Sequence, residues 1–198
     1  MDGKILKKLR QELEKNKYIL LERPKIPLTD DEFDKLEEIL ICAERNRSGG
    51  PKLAKDNSSC FYEIDLQTSY FSVSKQSRVE YEEEITEIIE SDEMINLYKK
   101  FTGADEVIIN SPQVNILNTQ CWIGRHRDID CENEEVFNIV IQLGKIYDGG
   151  EFVIYLEEKL QEVWLPYRSM LIFDLRFEHE VKKVIDGERR TLVYSLDC

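Results

Sequence analysis

The chain has 198 residues, 41% of them hydrophobic, which is enough for one domain with its own core. Its formal net charge of −13 excludes a broad electrostatic grip on nucleic acid or anionic lipid, since that grip needs clustered Lys and Arg. No run approaches the roughly 20 apolar residues of a membrane helix, and charges interrupt the N-terminal region, so the sequence predicts a cytoplasmic protein without a signal or transmembrane segment.

Ile5, Leu9 and Leu13 fall four apart among Lys and Glu, which predicts an amphipathic helix over 4–17 with one buried stripe. Thr29 with Glu32 three residues on forms a capping box, and Leu28 with Phe33 forms a hydrophobic staple, so a helix starts there. Phe33, Leu36, Ile39, Leu40 and Ala43 share its buried face, and SGGP at 48–51 ends it. Residues 60–73, CFYEIDLQTSYFSV, alternate loosely and favour strand. Residues 80–93 carry eight acidic side chains, yet Ile85, Ile88, Ile89 and Ile95 keep a helical stripe, so the charge is a solvated helix face that ends at Gly103.

Beyond Gly103 the period changes to extended. A β-rich run over 106–118 is followed by EVFNIVIQLG, GEFVIY, SMLIFDL and RRTLVYSL, each bounded by turn residues. Helices first and strands afterwards argue against a doubly wound parallel sheet. The prediction is a mainly β fold, a jelly roll with N-terminal α-helices packed on one outer face, although pattern alone leaves an ordinary β-sandwich open. It forms a single domain over 1–198, with 1–103 mostly helical support and 104–198 the core. The five cysteines, Cys42, Cys60, Cys121, Cys131 and Cys198, contain no C-x-x-C pair and predict reduced, mostly buried thiols.

One stretch resists the strand pattern. In CWIGRHRD, residues 121–128, an extended chain turns His126 and Asp128 to one face and Arg125 and Arg127 to the other. An imidazole and a carboxylate facing inward need a partner that offsets their desolvation, and a divalent metal is the strongest one. The only other histidine, His179, is the candidate third ligand. Two His and one carboxylate on one side of a metal leave positions open, as in non-haem Fe(II) oxygenases.

The run from Gly124 to Leu196 resembles the Fe(II)/2-oxoglutarate-dependent dioxygenases, and within them the prolyl-hydroxylase-like branch. His126-Arg127-Asp128, then Gly149-Gly150 before a strand, then His179 and Val181, then Gly187, Arg189 and Thr191 follow that family's order, with Arg189 ten residues after His179. The resemblance implies a double-stranded β-helix core and a metal site of His126, Asp128 and His179, these also being the catalytic residues. It further implies Fe(II), dioxygen and 2-oxoglutarate, with ascorbate in support. Arg189 would meet the far carboxylate of 2-oxoglutarate with a two-pronged fork and Thr191 would add a hydroxyl, while Arg190 points away. The implied reaction is oxidative decarboxylation of 2-oxoglutarate coupled to hydroxylation. Its substrate would be an amino-acid residue in a peptide or protein, with proline the leading guess. A free amino acid or small metabolite is the alternative substrate, and a metal-binding jelly roll without turnover is the alternative class. A zinc hydrolase would need a general base that the sequence does not place. No nucleic-acid or membrane partner is expected.

The chain departs from the family at three places. Many relatives carry a tyrosine on the lead-in strand about nine residues before the first metal histidine, a phenol that helps hold 2-oxoglutarate; here that stretch reads VNILNTQCW, and Asn115 or Asn118 stands in. Tyr194 closes the last strand where tryptophan is usual, and Arg168-Ser169 replaces a glycine common before the LIF strand. Asp128 excludes the halogenase branch, which has a small residue there. Trp122 has the parity to approach the pocket, but a lone strand tryptophan reads first as core.

Overall fold

The N-terminal stripe folds as a helix, Gly3–Asn16 (α1), that buries Leu9 and Leu13. The computed structural model describes residues 3–45, 52–53, 60–65, 83–128, 136–144, 146–157 and 159–198, and the side chains of Ile5 and Ala43 lie outside what it describes. Lys17 ends α1 in the left-handed region at φ 63, with its N–H donating to Leu13 O at 2.8 Å. The chain then enters a strand that the sequence pattern did not suggest, Tyr18–Leu21 (β1). Four apolar residues are too few for periodicity to separate strand from helix.

The second helix, Asp30–Arg45 (α2), starts on the expected capping box. Thr29 N donates to Glu32 Oε2 at 2.7 Å, and Glu32 N donates to Thr29 Oγ1 at 3.2 Å. Leu28, Phe33, Leu36, Ile39 and Leu40 are buried beneath it. After two strands, Lys52–Leu53 (β2) and Cys60–Asp65 (β3), helical residues 83–89 (α3) and Asp92–Thr102 (α4) bury Ile85, Ile88, Ile89, Met94, Leu97 and Tyr98. Gly103 caps α4 at φ 79, where a residue with a Cβ would be strained. The predicted strand residues 66–73 fall outside the described residues.

The remaining strands are Ile108–Asn118 (β4), Ile123–His126 (β5), Val136–Gln142 (β6), Tyr147–Gly149 (β7), Phe152–Leu156 (β8), Lys159–Val163 (β9), Met170–Asp174 (β10), His179–Val181 (β11) and Val184–Asp197 (β12). They form two antiparallel sheets. The larger runs β1-β10-β6-β12-β4-β3-β2, with β7 paired to the start of β12, and the smaller runs β5-β11-β8-β9. Strands from the first hundred residues therefore extend the larger sheet at both edges, so this half supplies more than helices.

Side-chain alternation sorts two cores. Ile139 and Ile141 of β6 and Leu192, Tyr194 and Leu196 of β12 face α1 to α4 and pack with Leu13, Phe33, Met94 and Tyr98. Val140 and Val193, of opposite parity, face the smaller sheet and pack with Phe152, Ile154, Phe173 and Val181. Each central strand is apolar on both faces because each face is covered. Polar residues on the inner face are therefore exceptions, and they mark the site. Among the described residues no helix is long and apolar enough to cross a membrane. Cys121 is buried and Cys42 half-buried, but Cys198 is exposed at the chain end; Cys131 is outside the described residues, as is the Cys60 side chain.

Candidate metal centre

β11 pairs with β5 so that His179 lies opposite His126. β5 ends at His126, two residues short of the expected extension, and Asp128 follows at a bend that turns its carboxylate back between the imidazoles. Asp128 Oδ1 is 3.2 Å from His126 Nε2, and Asp128 Oδ2 is 3.5 Å from His179 Nε2. Adjacent ligands of one ion are about 3 Å apart when each bond is about 2.1 Å. The ligand atoms of the three residues all lie within 4.8 Å of one another.

The outer ring nitrogens are tied down. His126 Nδ1 is 2.7 Å from Gly124 O and His179 Nδ1 is 3.1 Å from Phe177 O, so each Nδ1–H donates to a carbonyl and each Nε2 faces the centre. Burial holds the His179 imidazole below its ordinary pKa, which favours the neutral, ligating form. Phe173 and Phe152 enclose its ring, at centroid distances of 4.6 and 5.6 Å. His126 is raised by its contact with Asp128, although burial opposes this. Burial pushes Asp128 up, but the His126 hydrogen bond and the His179 charge outweigh it and hold the carboxyl below its ordinary value. Arg125 and Arg127 are exposed on the far side, where Arg125 pairs with Glu178 and covers the Tyr155 ring at 3.9 Å.

The three residues open onto a cavity of about 150 Å³ between the sheets, which Arg189, Thr191 and Asn115 also line. Arg189 is 2% exposed, and its Nε has no hydrogen-bond partner among the described residues. Burial lowers its pKa, the contact with Tyr147 opposes the shift, and among the described residues no carboxylate does. Thr191, opposite Asn115 in the β12–β4 register, is wholly buried, with Oγ1 3.5 Å from Asn115 O. Arg190 faces away and pairs with Glu188. Gly150, at φ +66, leaves the space that Arg189 occupies: a Cβ there would stand 3.2 Å from Arg189 Cδ. Asn118 and Trp122 do not line the cavity; Trp122 is half-buried under Lys183, whose Nζ is 5.4 Å from the ring centroid.

No protein-family model and no curated protein sequence matches the chain. Solved structures do. An oxidoreductase of the 2OG-Fe(II) oxygenase family from Burkholderia pseudomallei superposes with a TM-score of 0.81 at 20% identity, over 97% of this chain and 90% of that one. A prolyl-4-hydroxylase from Pseudomonas putida gives 0.65 at 14%, over 97% and 98%. The epimerase SnoN of nogalamycin biosynthesis, in complex with Fe3+, alpha ketoglutarate and nogalamycin RO, gives 0.75 at 8%, over 99% and 84%.

The chain has the 2OG-Fe(II) oxygenase fold. Within this oxygenase fold it carries a His-Asp-His cluster compatible with an iron site.

Three further polar residues in or beside the cavity were not evident in the sequence. Gln113 lines the cavity and lies 3.4 Å from Asn115 Oδ1, and Asn138 Nδ2 approaches Asp128 Oδ2 at 3.5 Å. Tyr147 meets Arg189 from outside the cavity. The only signal for Asn138 was an amide at an inward position of a strand otherwise apolar up to its terminal Gln142, and Gln113 and Tyr147 carried none.

Proposed function

We propose that the chain is an Fe(II)- and 2-oxoglutarate-dependent hydroxylase acting on an amino-acid residue within a peptide or protein, with proline the first candidate. The observation that carries this reading is the buried Arg189, a cation without an acidic partner among the described residues, in the same cavity as the His-Asp-His cluster. An uncompensated buried charge is costly, so the position implies a bound anion. A module that only bound metal would need no such clamp.

In this reading His126, Asp128 and His179 hold Fe(II), while Arg189, with Thr191 and Asn115 beside it, receives the far carboxylate of 2-oxoglutarate. When bound, iron, dioxygen and 2-oxoglutarate supply the oxidation, the cosubstrate leaving as succinate and carbon dioxide, with ascorbate in support. The chain's own part is to present two Nε2 lone pairs and a carboxylate, to neutralise the distant anion, and to keep water from His179 with Phe152 and Phe173.

The lining favours a substrate whose reacting end is uncharged. Among the described residues, apart from the His-Asp-His cluster and Arg189, the cavity is lined by amides, one hydroxyl and apolar groups. A free amino acid would bury an ammonium and a carboxylate without counter-charges, whereas a residue flanked by peptide bonds brings neutral groups that Gln113 and Asn138 can bond. A small-metabolite substrate is the second reading, in line with the neighbour SnoN, whose structure holds nogalamycin RO. Succinate release under air, with and without Fe(II), tests the class. Mass spectrometry for one added oxygen across proline-containing peptides and small molecules then tests the substrate. Wild-type protein that neither binds 2-oxoglutarate nor releases succinate would overturn the proposal.

A further inference from the structure

Tyr147 is held at two points. Its ring stacks on Trp164, with centroids 4.3 Å apart and planes 22° apart, and its hydroxyl donates to Leu165 O at 2.7 Å. Consecutive residues thus fix the plane of the phenol and the direction of its proton. With the proton committed to Leu165, the oxygen's lone pairs remain to accept, and the group they meet is the Arg189 guanidinium. Gly150 brings the two side chains together: a Cβ there would lie 3.2 Å from Arg189 Cδ and 3.5 Å from Tyr147 Cε2. Tyr147 does not line the cavity, so it stands behind the arginine and outside the ligand space.

We infer that Tyr147 is a positioning residue that aims Arg189 at the far carboxylate of 2-oxoglutarate, a phenol supplied from β7 and not from the lead-in strand β4. The inference rests on the cosubstrate reading proposed above. Arg189 has a long stem and a fully buried head, and its Nε has no partner among the described residues. Without a fixed acceptor the fork could rotate away from the ligand, and a carboxylate gains most from a fork that is already oriented.

The test uses Mn(II)-loaded full-length protein and two anions, with binding read by calorimetry. Oxalate can chelate the metal but is too short to reach the arginine as well, whereas 2-oxoglutarate can do both. Tyr147→Phe keeps the ring on Trp164 and removes only the oxygen. It is expected to weaken 2-oxoglutarate about tenfold, the scale of one hydrogen bond to a charged group, while oxalate and Mn(II) affinities stay at wild-type values. Equal weakening of both anions would place the effect on the fold or the metal and overturn the inference, as would unchanged 2-oxoglutarate affinity. Wild-type protein that binds oxalate but not 2-oxoglutarate would instead defeat the cosubstrate reading itself, and the inference with it.

Discussion

Asp128 and Arg189 divide the proposed work between them, and single substitutions should separate their contributions. Removing a ligand from the His-Asp-His cluster takes away a donor that the remaining two cannot replace. His126→Ala, Asp128→Ala and His179→Ala should each lower Mn(II) affinity by about 100-fold or more, since even outer-shell changes cost about 10–100-fold. Arg189→Ala should keep Mn(II) affinity and lose 2-oxoglutarate binding, and Arg190→Ala, whose side chain pairs with Glu188 away from the cavity, should keep both. Calorimetric titration of the five variants checks this pattern. Wild-type metal affinity in His179→Ala would remove the metal assignment, and a damaging Arg190→Ala would reverse the facing of β12. His126 and Asp128 were legible in the sequence because an imidazole and a carboxylate of one facing parity in an apolar run need a reason, and His179 was legible as the other histidine, whereas Arg189 was reached only through the spacing of the family resemblance. Tyr147 was not legible, because it reaches Arg189 from a three-residue strand whose pairing with β12 is interrupted by a register shift between Val184 and Asp186.

At the scale of elements, the turn before β10 shows how α2 is locked to the sheet. Arg168 has φ 58, in the region that favours glycine. Its side chain offsets the strain. Arg168 Nε donates to Glu37 at 2.9 Å and Nη1 to Asp30 at 3.2 Å, Nη2 pairs with Asp34, and the guanidinium lies 5.0 Å from the Tyr167 ring centroid. The three carboxylates come from α2, each about one turn from the next, so one arginine pins the helix to the strand start. Arg168→Gly should lose the ion cluster but relax the backbone, whereas Arg168→Ala should lose the cluster and keep the strain. Ala should therefore be the less stable by about 1 kcal/mol in urea unfolding. Ala equal to or above Gly would show that the backbone strain argued here is not borne by residue 168. The same scale explains which elements were readable. α2 announced itself through Thr29 and Glu32, and β4, β6, β8, β10 and β12 through apolar runs. β1, β7, β9 and β11 are three to five residues long and take their conformation from the strands they pair with, information that no local window holds.

For the whole molecule, the question is what joins the helical layer to the sheet that carries the site. Apolar packing does most of it, and Tyr98 of α4 and Tyr194 of β12 add a buried polar contact, with hydroxyl oxygens 2.6 Å apart and both residues at most 1% exposed. Neither hydroxyl reaches water, so each depends on the other. Tyr98→Phe or Tyr194→Phe alone should cost about 1–3 kcal/mol by stranding the remaining hydroxyl, and the double variant should cost less than the sum of the two. The pair also sets a pH limit. Burial raises both phenols well above the ordinary tyrosine value of 10.0, and for Tyr98 the neighbouring Tyr194 raises it further. In the unfolded chain these tyrosines ionise from about pH 10, while in the fold they stay protonated. The folded state then binds more protons, so their contribution is full below pH 10 and declines as pH rises through the window above it, by about 1.4 kcal/mol per pH unit for each phenol. Urea unfolding at pH 9, 10 and 11 should show a steeper alkaline loss in the wild type than in the Tyr98→Phe/Tyr194→Phe protein. Identical slopes would mean that the two phenols are not protected from ionisation by this interface, and strictly additive single-variant costs would mean that they do not depend on one another.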